Sequence, residues 1–205
     1  MKKVFALVGM LVFATVAAFA GNKAGEQATL KVDTNVSKVY WTGKKVTGEH
    51  TGYVKIDDGA VVIKNGEPQS AEIKMDMNTI ESTDMQGEWK DKLVGHLKSD
   101  DFFSVEKHPV ATFNVKSFRK SGTQHTVVGD LTIKGITHEI SFPADVKVEE
   151  GKVTANGTAT IDRTKWNIRF RSGKFFSDLG DNLIYDDFEV RFELVARPAE
   201  DLSSL

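Results

Sequence analysis

I-T-H-E-I-S-F-P-A-D-V, residues 136 to 146, alternates apolar and polar side chains along its length. Ile136, His138, Ile140, Phe142, Ala144 and Val146 fall on one side, opposed by Thr137, Glu139, Ser141 and Asp145. A period of two is the mark of a strand with one buried face, because successive side chains point to opposite sides of a pleated backbone. Lys134-Gly135 precedes the stretch and Glu150-Gly151 follows it, both suited to tight hairpin turns. The same alternation recurs in Ile73, Met75 and Met77, in Ala111, Phe113 and Val115, in Val153, Ala155, Ala159 and Ile161, and in Phe188, Val190, Phe192, Leu194 and Ala196. Further strands are expected over 29–33, 39–45, 50–56, 60–64 and 127–133, with Asp58-Gly59, Asn65-Gly66 and Ser121-Gly122 as additional turns. One segment departs from this rhythm: over 88–97, Trp89, Leu93, His96 and Leu97 follow a 3.6-residue stripe, which predicts a short helix. About eight strands, short turns and one helix make an all-β chain, a single closed barrel or a sandwich.

The N-terminus reads as an address. Lys2 and Lys3 precede an apolar run from Val4 to Phe13, and Ala18-Phe19-Ala20 forms an A-x-A site. These are the parts of a cleaved secretory signal, so residues 1–20 are expected to be removed and the protein exported to the periplasm, or secreted. No cysteine follows for lipid attachment, so no permanent membrane anchor is expected. Residues 21–27 read as a flexible lead-in, 28–198 as one domain and 199–205 as a C-terminal tail.

Composition removes whole function classes. Lys+Arg 27 against Asp+Glu 29 gives a net charge of -2, without the basic footprint of a nucleic-acid partner. With Cys 0 there is no disulfide scaffold, thiol nucleophile or cysteine-bound metal. No nucleophile elbow, phosphate loop, zinc-protease helix or calcium loop is present. His50, His96, His108, His125 and His138 are not at metal-ligand spacings, so neither a metal site nor an enzyme is expected. Asp57-Asp58, Asp100-Asp101 and Asp186-Asp187 fit capping and turn hydrogen bonds. Of 13 Phe, ten lie beyond the signal, against 3 Tyr and 3 Trp in the chain. Side chains so poor in hydroxyls suit a packed core and a hydrocarbon ligand equally, and an eight-stranded barrel can house either.

Three stretches carry a resemblance. They are H-L-K-S-D-D-F-F from His96 to Phe103, continued by His108, Pro109, Ala111, Thr112 and Phe113; G-D-L-T-I-K-G-I-T from Gly129 to Thr137; and I-D-R-T-K-W-N-I from Ile161 to Ile168. Together with Trp41–Lys45, Gly48 and His50, they make the chain similar to the YceI-like family of periplasmic polyisoprenoid-binding proteins. The resemblance implies a lipocalin-like antiparallel barrel around an elongated apolar cavity. Its occupant would be an isoprenoid or fatty chain, bound without conversion and with no further cofactor. Some members are dimers, so a homodimer is a further expectation. Ligand contacts are then expected from Trp41, Met75, Phe102, Phe103, Phe113, Leu131, Ile133, Ile140, Phe142, Trp166 and Phe170. Phe102 and Phe103 are expected to point opposite ways, one to the tunnel and one under the helix. Arg169, Arg171 and Lys174 lie in a segment longer than in many relatives and would meet an anionic head group. Asp162 and Arg163 suit a loop anchor better than a head-group contact. The competing reading is an exported stress or interaction protein with a filled core.

Overall fold

In the computed structural model, which describes residues 27–202, nine strands follow one another along the chain. They are β1 (Gln27–Val32), β2 (Lys38–Lys45), β3 (Gly48–Lys64), β4 (Glu67–Ser82), β5 (Val110–Ser121), β6 (Gln124–Ile133), β7 (Ile136–Glu149), β8 (Lys152–Asp162) and β9 (Ile184–Arg197). Helix α1 (Gly87–Lys98) lies between β4 and β5, a 3-10 turn (Arg163–Trp166) follows β8, and α2 (Ala199–Leu202) opens the C-terminal tail. Residues 1–20, expected to be a signal, and most of the expected lead-in lie outside the described residues.

Turn chemistry sets the register. At Asn65-Gly66, Lys134-Gly135 and Glu150-Gly151 both central residues have positive φ, the conformation whose twist matches that of paired strands. Asp58-Gly59 is not a turn. It lies within β3, where pairing with β4 shifts between Ile56 and Asp58. A Cβ on Gly59 would sit 2.8 Å from Val32 Cγ2 and 3.0 Å from the Glu72 carbonyl. Glycine there marks a bulge and a close approach, so the two short strands expected over 50–64 are one.

All pairings are antiparallel, and β3–β4 contacts close the sheet on itself. The closed circuit has eight positions, because β1 and β2 share one. Between β3 and β9, β1 pairs with the outer half of β3 (Leu30↔Val61) and β2 with its inner half (Val39↔Val54). Asp33, at the step between them, is buried and meets Arg197 at 3.0 Å. One end of the barrel carries the β3–β4, β5–β6 and β7–β8 hairpins. The other carries α1, the 99–109 segment, the β6–β7 turn and the long connection from β8 to β9. On α1, Leu97 is buried while Trp89 is 69% exposed beneath Lys92, so the helix rests on the narrower stripe that includes Leu93 and Leu97.

Candidate functional site: an apolar cavity

Inward positions of the strands do not fill the barrel. They line a cavity of about 230 Å³ that runs along it, walled almost wholly by apolar side chains. At its centre Phe142 packs against Phe113 (5.5 Å between ring centres) and Phe192 (5.6 Å). These rings fit because inward strand positions opposite them lack side chains. A Cβ on Gly129 would lie 2.9 Å from the Phe113 ring, and one on Gly157 2.9 Å from Phe192. Gly52 likewise clears the Trp41 ring, whose buried Nε1 has no partner among the described residues.

The α1 end is built from loops. After Lys98 the chain folds back, with Phe103 N–H donating to the Leu97 carbonyl (3.0 Å) and Val105 N–H to that of Lys98 (2.9 Å). Asp100 secures this turn by accepting from Ser104 (2.7 Å) and Lys107 (2.6 Å), which hold its carboxyl below the usual range. The fold-back sends both Phe102 and Phe103 to the cavity wall, not one each way. Phe103 meets Phe188 edge-on, and Phe102 packs against His96.

Arg163 is the one charged residue in the wall among the described residues. Its guanidinium is buried and committed: Nε donates to the Tyr185 carbonyl (3.0 Å), one Nη to Ile168 (2.8 Å) and the other to Ile184 (3.0 Å). Burial pulls its pKa below the ordinary arginine value, against the pull of Asp186 and Asp162. Asp162 caps the 3-10 turn by accepting from Thr164 N–H (3.0 Å) and holds Lys174 (2.8 Å). Burial works to raise the Asp162 pKa, but the hydrogen bonds from Lys174 and Thr164 prevail and lower it. Both residues of this pair are therefore loop anchors.

Of the eleven expected contacts, Trp41, Met75, Phe102, Phe103, Phe113, Leu131, Ile133, Ile140 and Phe142 line the cavity. Trp166 does not. It is 1% exposed and fixed in the core, donating from Nε1 to the Leu131 carbonyl (3.2 Å) with His138 edge-on to its ring. Phe170 also lies off the wall, against His96 and Phe102. None of the three expected head-group cations lines the cavity: Lys174 is paired with Asp162 and Asp186, Arg169 stacks on Phe175, and Arg171 stacks on Phe170. The wall also includes Phe188, Val190 and Phe192 of β9, whose alternation marked the inward face of a strand without marking a ligand surface. Among the described residues no cluster of histidines and carboxylates could hold a metal.

A closed barrel around an apolar void is the architecture of lipocalin-like binding proteins. Residues 30–196 match the YceI-like domain, and the chain belongs to that family. A UPF0312 protein of Photorhabdus laumondii is 30% identical over 138 residues, 64% of this chain and 69% of that protein. Protein YceI of Escherichia coli O157:H7 is 28% identical over 64% of this chain and 70% of its own length. Among solved structures, BcnA of Burkholderia cenocepacia superposes with a TM-score of 0.65 at 24% identity, over 80% of this chain and 99% of its own. A polyisoprenoid binding domain from Saccharophagus degradans gives 0.59 at 16% identity, over 82% and 98%. The barrel is thus shared across sequences that have diverged widely.

Proposed function

We propose that this protein is an exported carrier that holds an isoprenoid-type or similar amphiphilic lipid in its barrel without converting it. One observation carries the reading: an apolar cavity runs through the barrel, and the one charged group in its wall among the described residues, Arg163, donates from Nε and both Nη to backbone carbonyls. Such a surface gains by covering hydrocarbon, and among the described residues its lining includes no histidine, carboxylate, serine or lysine to transform it. The polyisoprenoid-binding neighbour supports the ligand class, and the basic, apolar and A-x-A segments of residues 1–20 support export to the periplasm. No helix among the described residues is long and apolar enough to cross a membrane.

The test is native mass spectrometry of protein purified without added ligand, followed by organic extraction. The expected result is a mass increment that is lost on extraction, with an isoprenoid or fatty chain in the organic phase. Protein that carries no such molecule, and takes none up when offered geranylgeraniol, would leave the barrel an ordinary core. The same spectrum reads the homodimer that family membership suggests.

A further inference from the structure

A chain reaches the cavity where the wall opens, and the strand ladders differ in continuity. Between β2 and β9 the pairing passes from Gly43↔Phe188 to Lys45↔Ile184. Lys44 alone therefore faces Tyr185, Asp186 and Asp187, well beyond the single extra residue of an ordinary bulge. A longer mismatch exists between β3 and β4, where Val54 faces residues 77–80. That one is sealed: Thr79 Oγ1 accepts from Lys55 N–H (2.8 Å), the Pro109 carbonyl accepts from Met77 N–H (2.8 Å), and Met77 and Ile80 are buried.

At the β2–β9 gap the backbone is tied, Arg163 donating to the Tyr185 and Ile184 carbonyls and Ile184 N–H to that of Arg171, but no side chain of β2 fills the space. On β2 the inward positions pass from Val39 and Trp41, whose side chains line the cavity, to Gly43, which has none. A Cβ there would meet nothing within 4 Å. Tyr185 lines the cavity, is 50% exposed, and also borders an outer groove with Thr42, Lys44 and Asp186. It is the partition between inside and outside. The groove is held by ion pairs on the barrel surface, Lys44 with Glu189 (2.8 Å) and Lys174 with Asp186 (3.6 Å), of a kind that break and re-form readily in water.

We propose that this gap is the portal of the cavity, with Tyr185 as its gate and Gly43 as the clearance through which an apolar chain passes. The portal presupposes the ligand-binding reading above. Its test is stopped-flow uptake and release of cis-parinaric acid, whose fluorescence rises in apolar surroundings, by the full protein and two variants. Tyr185→Ala removes the partition, so uptake and release should both accelerate several-fold. Gly43→Phe obstructs the clearance, so both should slow several-fold, and its melting temperature reports that it has folded. If Gly43→Phe does not fold, Tyr185→Ala decides alone. Loss of a mere contact would speed release and leave uptake unchanged. That result, or wild-type rates in the folded variants, would overturn the portal while leaving the cavity reading intact. Failure of the wild-type protein to take up the probe would overturn both.

Discussion

Phe113, Phe192 and Trp41 each owe their place to a glycine, at 129, 157 and 52, on a neighbouring strand. The aromatic inventory of the chain and its strand-interior glycines are thus one feature: rings large enough to line a tunnel need bare backbone beside them. Leu131 tests whether that tunnel is empty or merely loosely packed. Its side chain lines the cavity, while its carbonyl accepts the Trp166 indole N–H. In a hollow barrel Leu131→Trp places its extra volume in the void, so lipid affinity should fall while the melting temperature barely moves. In a filled core the same change overpacks, at a typical cost of about 1–3 kcal/mol. Thermal melts with and without geranylgeraniol distinguish the two, and a large stability loss with no effect on binding would mark the wall as ordinary core.

Loops, more than strands, separate what the sequence discloses from what it conceals. The β7 face from Ile136 to Val146 and three hairpin turns with paired positive φ were legible because periodicity and turn chemistry are local. Asp58-Gly59 carries the same local signal inside an unbroken strand, and only its neighbours Val32 and Glu72 show that it is a bulge. Trp166 ends a 3-10 turn and Phe170 lies in the loop beyond it, where no period says which way a ring will face. The cations beside them behave likewise. Lys174 is held by two carboxylates, and Arg169 and Arg171 lie over phenylalanine rings outside the cavity. Such stacking is worth about 0.5–1 kcal/mol at exposed sites, so it shapes the loop. Arg169→Ala with Arg171→Ala is therefore expected to weaken geranylgeranyl pyrophosphate and geranylgeraniol equally, with no dependence on salt. A larger loss for the pyrophosphate that shrinks as salt is added would restore the head-group role these cations suggested, since exposed charges farther apart than about 10 Å are largely screened at 0.1 M.

At the scale of the whole barrel, the two ends have different work. The hairpin end is drawn together by β1, which fills the space between β3 and β9, and by the pairing of buried Asp33 with half-buried Arg197. The other end is made of loops and holds the irregular β2–β9 ladder. A chain lodged between a tied end and a loose one should feel its own length. Each buried methylene contributes about 0.8 kcal/mol gross, and ligands of useful size retain about 0.3 kcal/mol per heavy atom. A twenty-carbon chain would then bind by about 6 kcal/mol and a forty-carbon chain by about 12, near nanomolar. The cavity of about 230 Å³ sets a limit on this growth. It lies below the roughly 300–1,000 Å³ of common ligand pockets. Affinity should therefore climb through geraniol, farnesol and geranylgeraniol and then level off for longer polyprenols, whose remaining units stay in water. Calorimetric titration across that series measures both the slope and the plateau. A slope without a plateau would mean that the barrel widens around long chains, and affinity that ignored chain length would exclude a tunnel altogether.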